Sequence, residues 1–184
     1  MLIQTHLQLA TTVYQHVKSK YNLELRHDML QYGSIKPDLL WQYRDIPHYF
    51  EEGFPFFLEE LQQMCNDRKY GNVKDFSMKL GVLLHFTADY FCHAHNEECF
   101  KKALWPHFIY ELKLHNSFSQ YTYMGEEFYL PKFKNIPSLI LNLRRKYLET
   151  SPGLKTDVKF IHISCLEVTN FLIEAVFMAD AEAA

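Results

Sequence analysis

The chain has 184 residues, 48% of them apolar and 16% aromatic, with a formal charge of -3 at neutral pH. That length and apolar content suit one domain, residues 1–184, able to bury a substantial core, and they exclude a disordered chain. The near-neutral charge excludes the broad basic face that duplex nucleic acid needs.

The four cysteines, Cys65, Cys92, Cys99 and Cys165, are dispersed and form no CxxC pair. Such spacing reads as reduced thiols rather than a disulfide framework, and a cytoplasmic location is expected. The first residues lack the basic region, apolar run and small-residue cleavage site of an export signal. Charged residues interrupt every apolar run, so no transmembrane segment is expected.

Taken in order, Thr5 is placed to cap a first helix through Leu7, Leu9, Ala10, Val13 and Val17, whose spacing is helical. Arg26 to His48 reads as irregular, because Gly33, Pro37 and Pro47 break helix and each proline biases its predecessor toward extended backbone. A helical block spans about Phe54 to Met64, and a polar turn from Asn66 to Asn72 follows it. The next block carries Phe76, Leu80, Val82, Leu83 and Leu84, apolar over much of its circumference, which marks a central helix. Trp105-Pro106 opens another helix. Ser117 to Lys134 is aromatic-rich and reads as a long surface loop or lid. Helices from Ser138 to Leu148 and from about Thr156 to Met178 complete the chain. No strand alternation is present, and the expected fold class is all-α.

Ten histidines are many for this length, and five fall between His85 and His115. His85 and Asp89, four residues apart, share one helical face, and His107 and Glu111 repeat that arrangement. A helix that presents an imidazole and a carboxylate together suits a divalent ion such as zinc. One such pair alone is weak. With His6 near the chain start, Asp38 after Pro37, His48 after Pro47 and His95 after Asp89, the candidate ligand set is more specific than either pair.

This order of residues (His6, then Pro37-Asp38, then His48, then His85-x3-Asp89-x5-His95, then His107-x3-Glu111) resembles the zinc-dependent phospholipase C family, whose relatives include fungal single-strand nucleases. The resemblance spans His6 to Glu111. It implies an all-helical fold around up to three zinc ions. Asp38, His48, His85 and Asp89 would hold one ion. Asp89 would bridge to a second, completed by His6 and the amine and carbonyl of Met1. His95, His107 and Glu111 would hold the third.

The implied activity is phosphodiester hydrolysis of the phospholipase C type, by a metal-bound hydroxide or with Asp38 as general base. The alternatives are a nuclease or nucleotidase on the same cluster, and a non-catalytic metal-binding protein. Implied partners are a phosphodiester substrate, such as a phospholipid headgroup, and a transiently contacted membrane surface. Three carboxylates against three dications leave a cage of about +3 by charge counting, which attracts a phosphodiester anion. In two respects the chain departs from the pattern: it starts with methionine where secreted members have tryptophan, and Cys92-His93 replaces a usual Gln-Pro.

Other residues have narrower readings. His93 and His115 neighbour the motif, and His115 continues the His107–Glu111 face, placed for a hydrogen bond to a metal ligand or for the surface. His16, His27 and His162 read as structural or exposed. Asp45 is placed either to orient His48 or to cap a turn. Tyr49, Phe50, Phe54 and Phe56 read as pocket lining or core. Tyr121, Tyr123, Phe128 and Tyr129 belong to the expected lid, and Arg144-Arg145-Lys146 reads as a solvated helix face.

Overall fold

A computed structural model describes residues 1–66, 72–96, 104–120, 135–151 and 153–178. Those residues form seven α-helices and no strand. They are α1 (Ile3–Tyr21), α2 (His27–Leu39), α3 (Phe50–Asn66), α4 (Val73–Tyr90), α5 (Leu104–Gln120), α6 (Ile136–Glu149) and α7 (Leu154–Ile173). Single-turn 3₁₀ segments cover Trp41–Tyr43 and His93–His95, and a π turn, Glu174–Met178, continues α7. The all-α expectation holds.

Helix α1 buries Thr5, His6, Leu9, Ala10, Val13 and Val17, a stripe at helical spacing. It stops at Asn22, whose φ of 50° and ψ of 32° are left-handed. Asparagine is among the few residues that take this conformation at little cost. The helix begins two residues before Thr5, so Thr5 lies inside the first turn instead of capping it.

Helix α2 corrects the expectation of an irregular passage from Arg26 to His48. It contains both Gly33 and Pro37. Packing overrides the local signals. A Cβ on Gly33 would strike the Met78 carbonyl, and one on Gly81 would lie 2.7 Å from the Ser34 nitrogen and 2.8 Å from the Gly33 Cα. The two glycines thus let the backbones of α2 and α4 meet, an approach that any side chain would prevent. Pro37 sits in the last turn, where a lost N–H costs least, and the helix ends two residues later.

Helix α4 is the hub, packed against α1, α2, α3 and α7. Asn72 caps it by accepting the Lys74 N–H at 3.1 Å. Phe76, Leu80, Leu83, Leu84 and Phe86 are each fully buried. Burial on that scale stabilises by roughly 1.5–3 kcal/mol per side chain. Helix α3 starts at Phe50, four residues before the expected Phe54, and its face of Phe50, Phe57, Leu61 and Met64 closes over α4. Phe54 and Phe56 are partly buried and pack on the core.

Helix α5 runs on through Gln120, so the segment expected to loop from Ser117 is helical in its first residues. The remainder of the expected lid, with Tyr121, Tyr123, Phe128 and Tyr129, lies outside the described residues, as do Cys99 and most of the Asn66–Asn72 turn. In α6, Asn135 caps by accepting the Ser138 N–H at 3.0 Å. Arg144 corrects the reading of its basic run as wholly solvated. It is 6% exposed, donates from Nη1 to the Tyr90 carbonyl at 2.8 Å, and lies 5.0 Å above the Phe50 ring. A cation at that point complements the carbonyl end of α4.

Helix α7 with its π turn, Leu154–Met178, is long and apolar enough to cross a membrane by length and composition, with mean hydropathy 1.5. This corrects the expectation that every apolar run falls short. Its apolar character has another use, because Ile161, Cys165, Val168, Leu172 and Ile173 are fully buried against the other helices. His162, on the same helix, is buried too, with Nδ1–H donating to the Val158 carbonyl at 2.8 Å and its ring stacked on Phe118.

Candidate metal centre

The nine residues proposed as ligands arrive from five places: the chain start and α1, the end of α2, the turn before α3, the last two turns of α4 with the 3₁₀ segment after it, and α5. Within three groups, ligand atoms lie within 4.8 Å of one another: His6, His85 and Asp89; Asp38, His48 and His85; His95, His107 and Glu111. The Met1 amine joins the groups. It donates to Asp89 Oδ1 at 2.8 Å and lies 3.1 Å from both His95 Nε2 and Glu111 Oε1.

Asp89 is central and fully buried. Its Oδ2 accepts from His48 Nδ1 at 2.7 Å and lies 3.3 Å from His85 Nε2, while Oδ1 is 3.5 Å from His6 Nε2. His85 is held from behind, because its Nδ1–H donates to the Ser34 carbonyl at 2.8 Å. That bond fixes the tautomer and turns the Nε2 lone pair toward Asp38, 3.7 Å away, and His48, 3.1 Å away. The glycine contact between α2 and α4 is what brings Ser34 within reach. At the other end, His107 Nε2 and His95 Nε2 lie 2.8 and 3.1 Å from Glu111 Oε1.

Depth sorts the roles. His6, His85 and Asp89 are fully buried, whereas the side chains of Asp38 and His48 keep 27% and 24% exposure. The site is therefore open on the Asp38–His48 side.

The donor set fits a metal on one observation above others. His6 is fully buried, and neither of its ring nitrogens has a hydrogen-bond partner. An imidazole so placed bears a desolvation cost of roughly 1–3 kcal/mol for each unsatisfied nitrogen, and a cation at Nε2 would remove it for that nitrogen. Its face stacks on the His85 ring at 4.0 Å.

Charge follows the same design. Burial, and then the neighbouring His85, pulls the His6 pKa down to about 3. Burial lowers His95 as well. Burial alone would lower the Met1 amine, but Asp89 and Glu111 prevail and raise it to about 11. Burial would raise Asp89 and Glu111. His95, the Met1 amine and His85 hold Asp89 well below the carboxylate range, and His107 and His95 do the same for Glu111. His48 moves up, since its bond to Asp89 outweighs burial.

These shifts predict the pH profile of metal-free protein. Below pH 6.5 the unfolded chain gains protons that His6 and His95 refuse, and lower still Asp89 and Glu111 resist protonation, so stability falls toward acid. His48, Asp157 and Glu167, each raised above its ordinary value, act in the opposite sense but do not cancel the combined effect of the other four. Above pH 8 the unfolded chain sheds the α-amino proton that folded Met1 keeps to about 11, so stability falls again. Chemical denaturation of chelator-treated protein should show a maximum between pH 6.5 and 8, and a stability still rising above pH 8 would refute the assignment of these charges.

Of the other residues singled out, His115 Nδ1 meets Thr5 Oγ1 at 3.1 Å, one residue from His6. His16 bonds Asn170 at 2.8 Å, and His27 bonds Thr11 at 3.1 Å. Asp45 is exposed. Cys92 is buried, and burial pushes its thiol up, away from the thiolate a ligand needs. Sequence reasoning missed Ser34, which acts through a backbone carbonyl and so leaves no residue-type signal. It also missed Asp157, whose only trace is a carboxylate at the start of an apolar helix.

A family model described as zinc dependent phospholipase C matches residues 5–168. The chain belongs to the zinc-dependent phospholipase C family. Searches of curated proteins and of solved structures returned no match.

Proposed function

We propose that the protein hydrolyses phosphodiesters as a zinc-dependent phospholipase C, with Met1, His6, Asp38, His48, His85, Asp89, His95, His107 and Glu111 holding up to three zinc ions. The observation that carries this is His6, buried with two unsatisfied ring nitrogens among converging carboxylates and imidazoles. Zinc supplies Lewis acidity and lowers the pKa of water it binds to about 7.

The chain's own residues do the rest. Asp89 and Glu111, kept ionised, balance cationic charge at depth. Asp38, at the open side, accepts the proton of the attacking water. His48 and His85 turn ring nitrogens toward the same spot, with His85 locked by Ser34. The nucleophile forms the new P–O bond as the ester P–O bond breaks, and the departing alkoxide takes up the proton that Asp38 accepted, giving the alcohol and a phosphomonoester.

A phospholipid is the substrate favoured by the surroundings of the site. Leu39 and Trp41 follow Asp38 and are 55% and 76% exposed; Leu104, Trp105 and Phe108 flank His107 and are 90%, 71% and 44% exposed. The Arg44 guanidinium lies 4.4 Å from the Trp41 ring. Exposed indoles beside a basic group suit the boundary between lipid tails and water, and this supports transient contact with a membrane surface. The free thiols Cys65, Cys92 and Cys165 support a reducing, cytoplasmic setting.

The same indoles offer stacking faces to bases, which keeps the nuclease reading in play. Turnover of choline-headgroup vesicles and of single-stranded DNA, with wild type and Asp38→Asn at matched zinc content, separates the readings. We expect lipid turnover, reduced at least 100-fold by Asp38→Asn, a loss in the range typical of a lost general base. DNA turnover alone selects the nuclease, and zinc binding without either activity selects a binding protein.

A further inference from the structure

The third ligand group is assembled from two separate pieces of chain. His95 stands on the 3₁₀ segment after α4, and His107 and Glu111 stand on α5. Something must hold the two in register, since the distance from His95 Nε2 to Glu111 Oε1 is only 3.1 Å. Asp157, in the first turn of α7, touches both pieces. Its Oδ2 accepts the His93 backbone N–H at 2.8 Å and the Tyr110 hydroxyl at 2.9 Å. Its Oδ1 accepts the Tyr147 hydroxyl of α6 at 2.8 Å. His93 is two residues before His95, and Tyr110 is the residue before Glu111.

We infer that Asp157 is the positioning residue for this ligand group, clamping the His95 turn to α5 so that His95, His107 and Glu111 present their donors to one ion. The inference rests on the proposed metal centre and adds a residue that is not itself a ligand. Asp157 is fully buried, and among the described residues no cation pairs with it. A carboxylate in that state is kept because its acceptors are used, and here all three donors converge on it from other elements. The two tyrosines and the N–H leave it no freedom to turn. The His93 ring, 5.4 Å from the Tyr110 ring, closes the same joint from the side. A carboxylate that holds ligand-bearing segments is the arrangement by which metal sites fix the direction of their donors.

The test is a titration of metal-free wild type, Asp157→Ala and Asp157→Asn with cobalt(II), read by visible absorption and by bound metal per chain, with far-ultraviolet circular dichroism alongside. Asp157→Ala should weaken one ion by roughly 10–100-fold and leave the others at wild-type affinity. Asp157→Asn keeps an oxygen toward His93 and Tyr110 and should restore most of that loss. A folded Asp157→Ala that binds every ion as wild type does overturns the inference. If Asp157→Ala does not fold, Asp157→Asn decides: the change confined to one ion's absorption band supports the clamp, and equal weakening of all ions overturns it. Wild type that binds no cobalt fails the metal centre itself, and the clamp with it, a result distinct from the other two.

Discussion

Asp89→Ala is expected to cost the protein every metal ion except the one held by His95, His107 and Glu111, while His107→Ala should lose that ion alone. With roughly three zinc ions bound to untagged wild type, mass spectrometry would read the two losses separately. The reason lies in where Asp89 stands. One oxygen meets the Met1 amine at 2.8 Å and the other meets His48 at 2.7 Å, with His6 and His85 close by. No neighbouring carboxylate can take over both edges, since of the groups that Asp89 meets at these distances Glu111 reaches the amine alone and Asp38 lies beyond His85. Metal-free Asp89→Ala should also be less stable by about 3–5 kcal/mol, because the buried amine loses its nearest partner. Asp89→Asn separates the effects, as it keeps the shape and removes the charge. Full zinc content in Asp89→Ala would refute its bridging place in the cage.

Gly81→Ala should be the most damaging small substitution away from the ligands. In an ordinary helix, alanine is favoured over glycine by about 1 kcal/mol. Here the new methyl would meet backbone atoms of α2, including the Ser34 nitrogen at 2.7 Å, and backbone cannot rotate aside. The helices must part, at a cost of about 2–3 kcal/mol. At this chain length that lowers Tm by about 4–12 °C. Parting α2 from α4 also withdraws the Ser34 carbonyl from His85, so zinc affinity should fall together with stability. Gly153→Ala, with nothing within 4 Å of the added carbon, is the control for steric clash and should lose only the difference between a glycine and an alanine N-cap, about 1 kcal/mol or less. An unchanged Tm in Gly81→Ala would show that the two helices do not touch as described.

Asp89 and Gly81 differ in how far sequence alone reveals them. The helical character of the chain and the ligand candidates were legible, because residue type and i, i+4 spacing carry that information directly. His85 with Asp89, and His107 with Glu111, are each read from one helix turn. The turn that offers His95 was legible only in outline, since α4 ends at Tyr90 and a separate 3₁₀ turn follows. Helix α2 was not legible. Gly33 and Pro37 are correctly read as helix breakers by local rules, and only close packing against α4 overcomes that tendency. Arg144 was misread for a similar reason, because a basic triplet does not say which member points inward. Asp157 and Ser34 matter through their partners, and partnership across the fold leaves no mark at either position.

The amine of Met1 and the ring of His95 are 94 residues apart in sequence, and they sit 3.1 Å apart in the fold. A link over that span closes a very large loop, so holding the first residues in place carries a large entropic cost. A metal held by the proposed ligand set would act as a clasp, tying the start of the chain to its middle. Chelation should loosen the beginning of α1 before any other described segment, and amide exchange there should report metal loss while the helices around Leu84 stay closed.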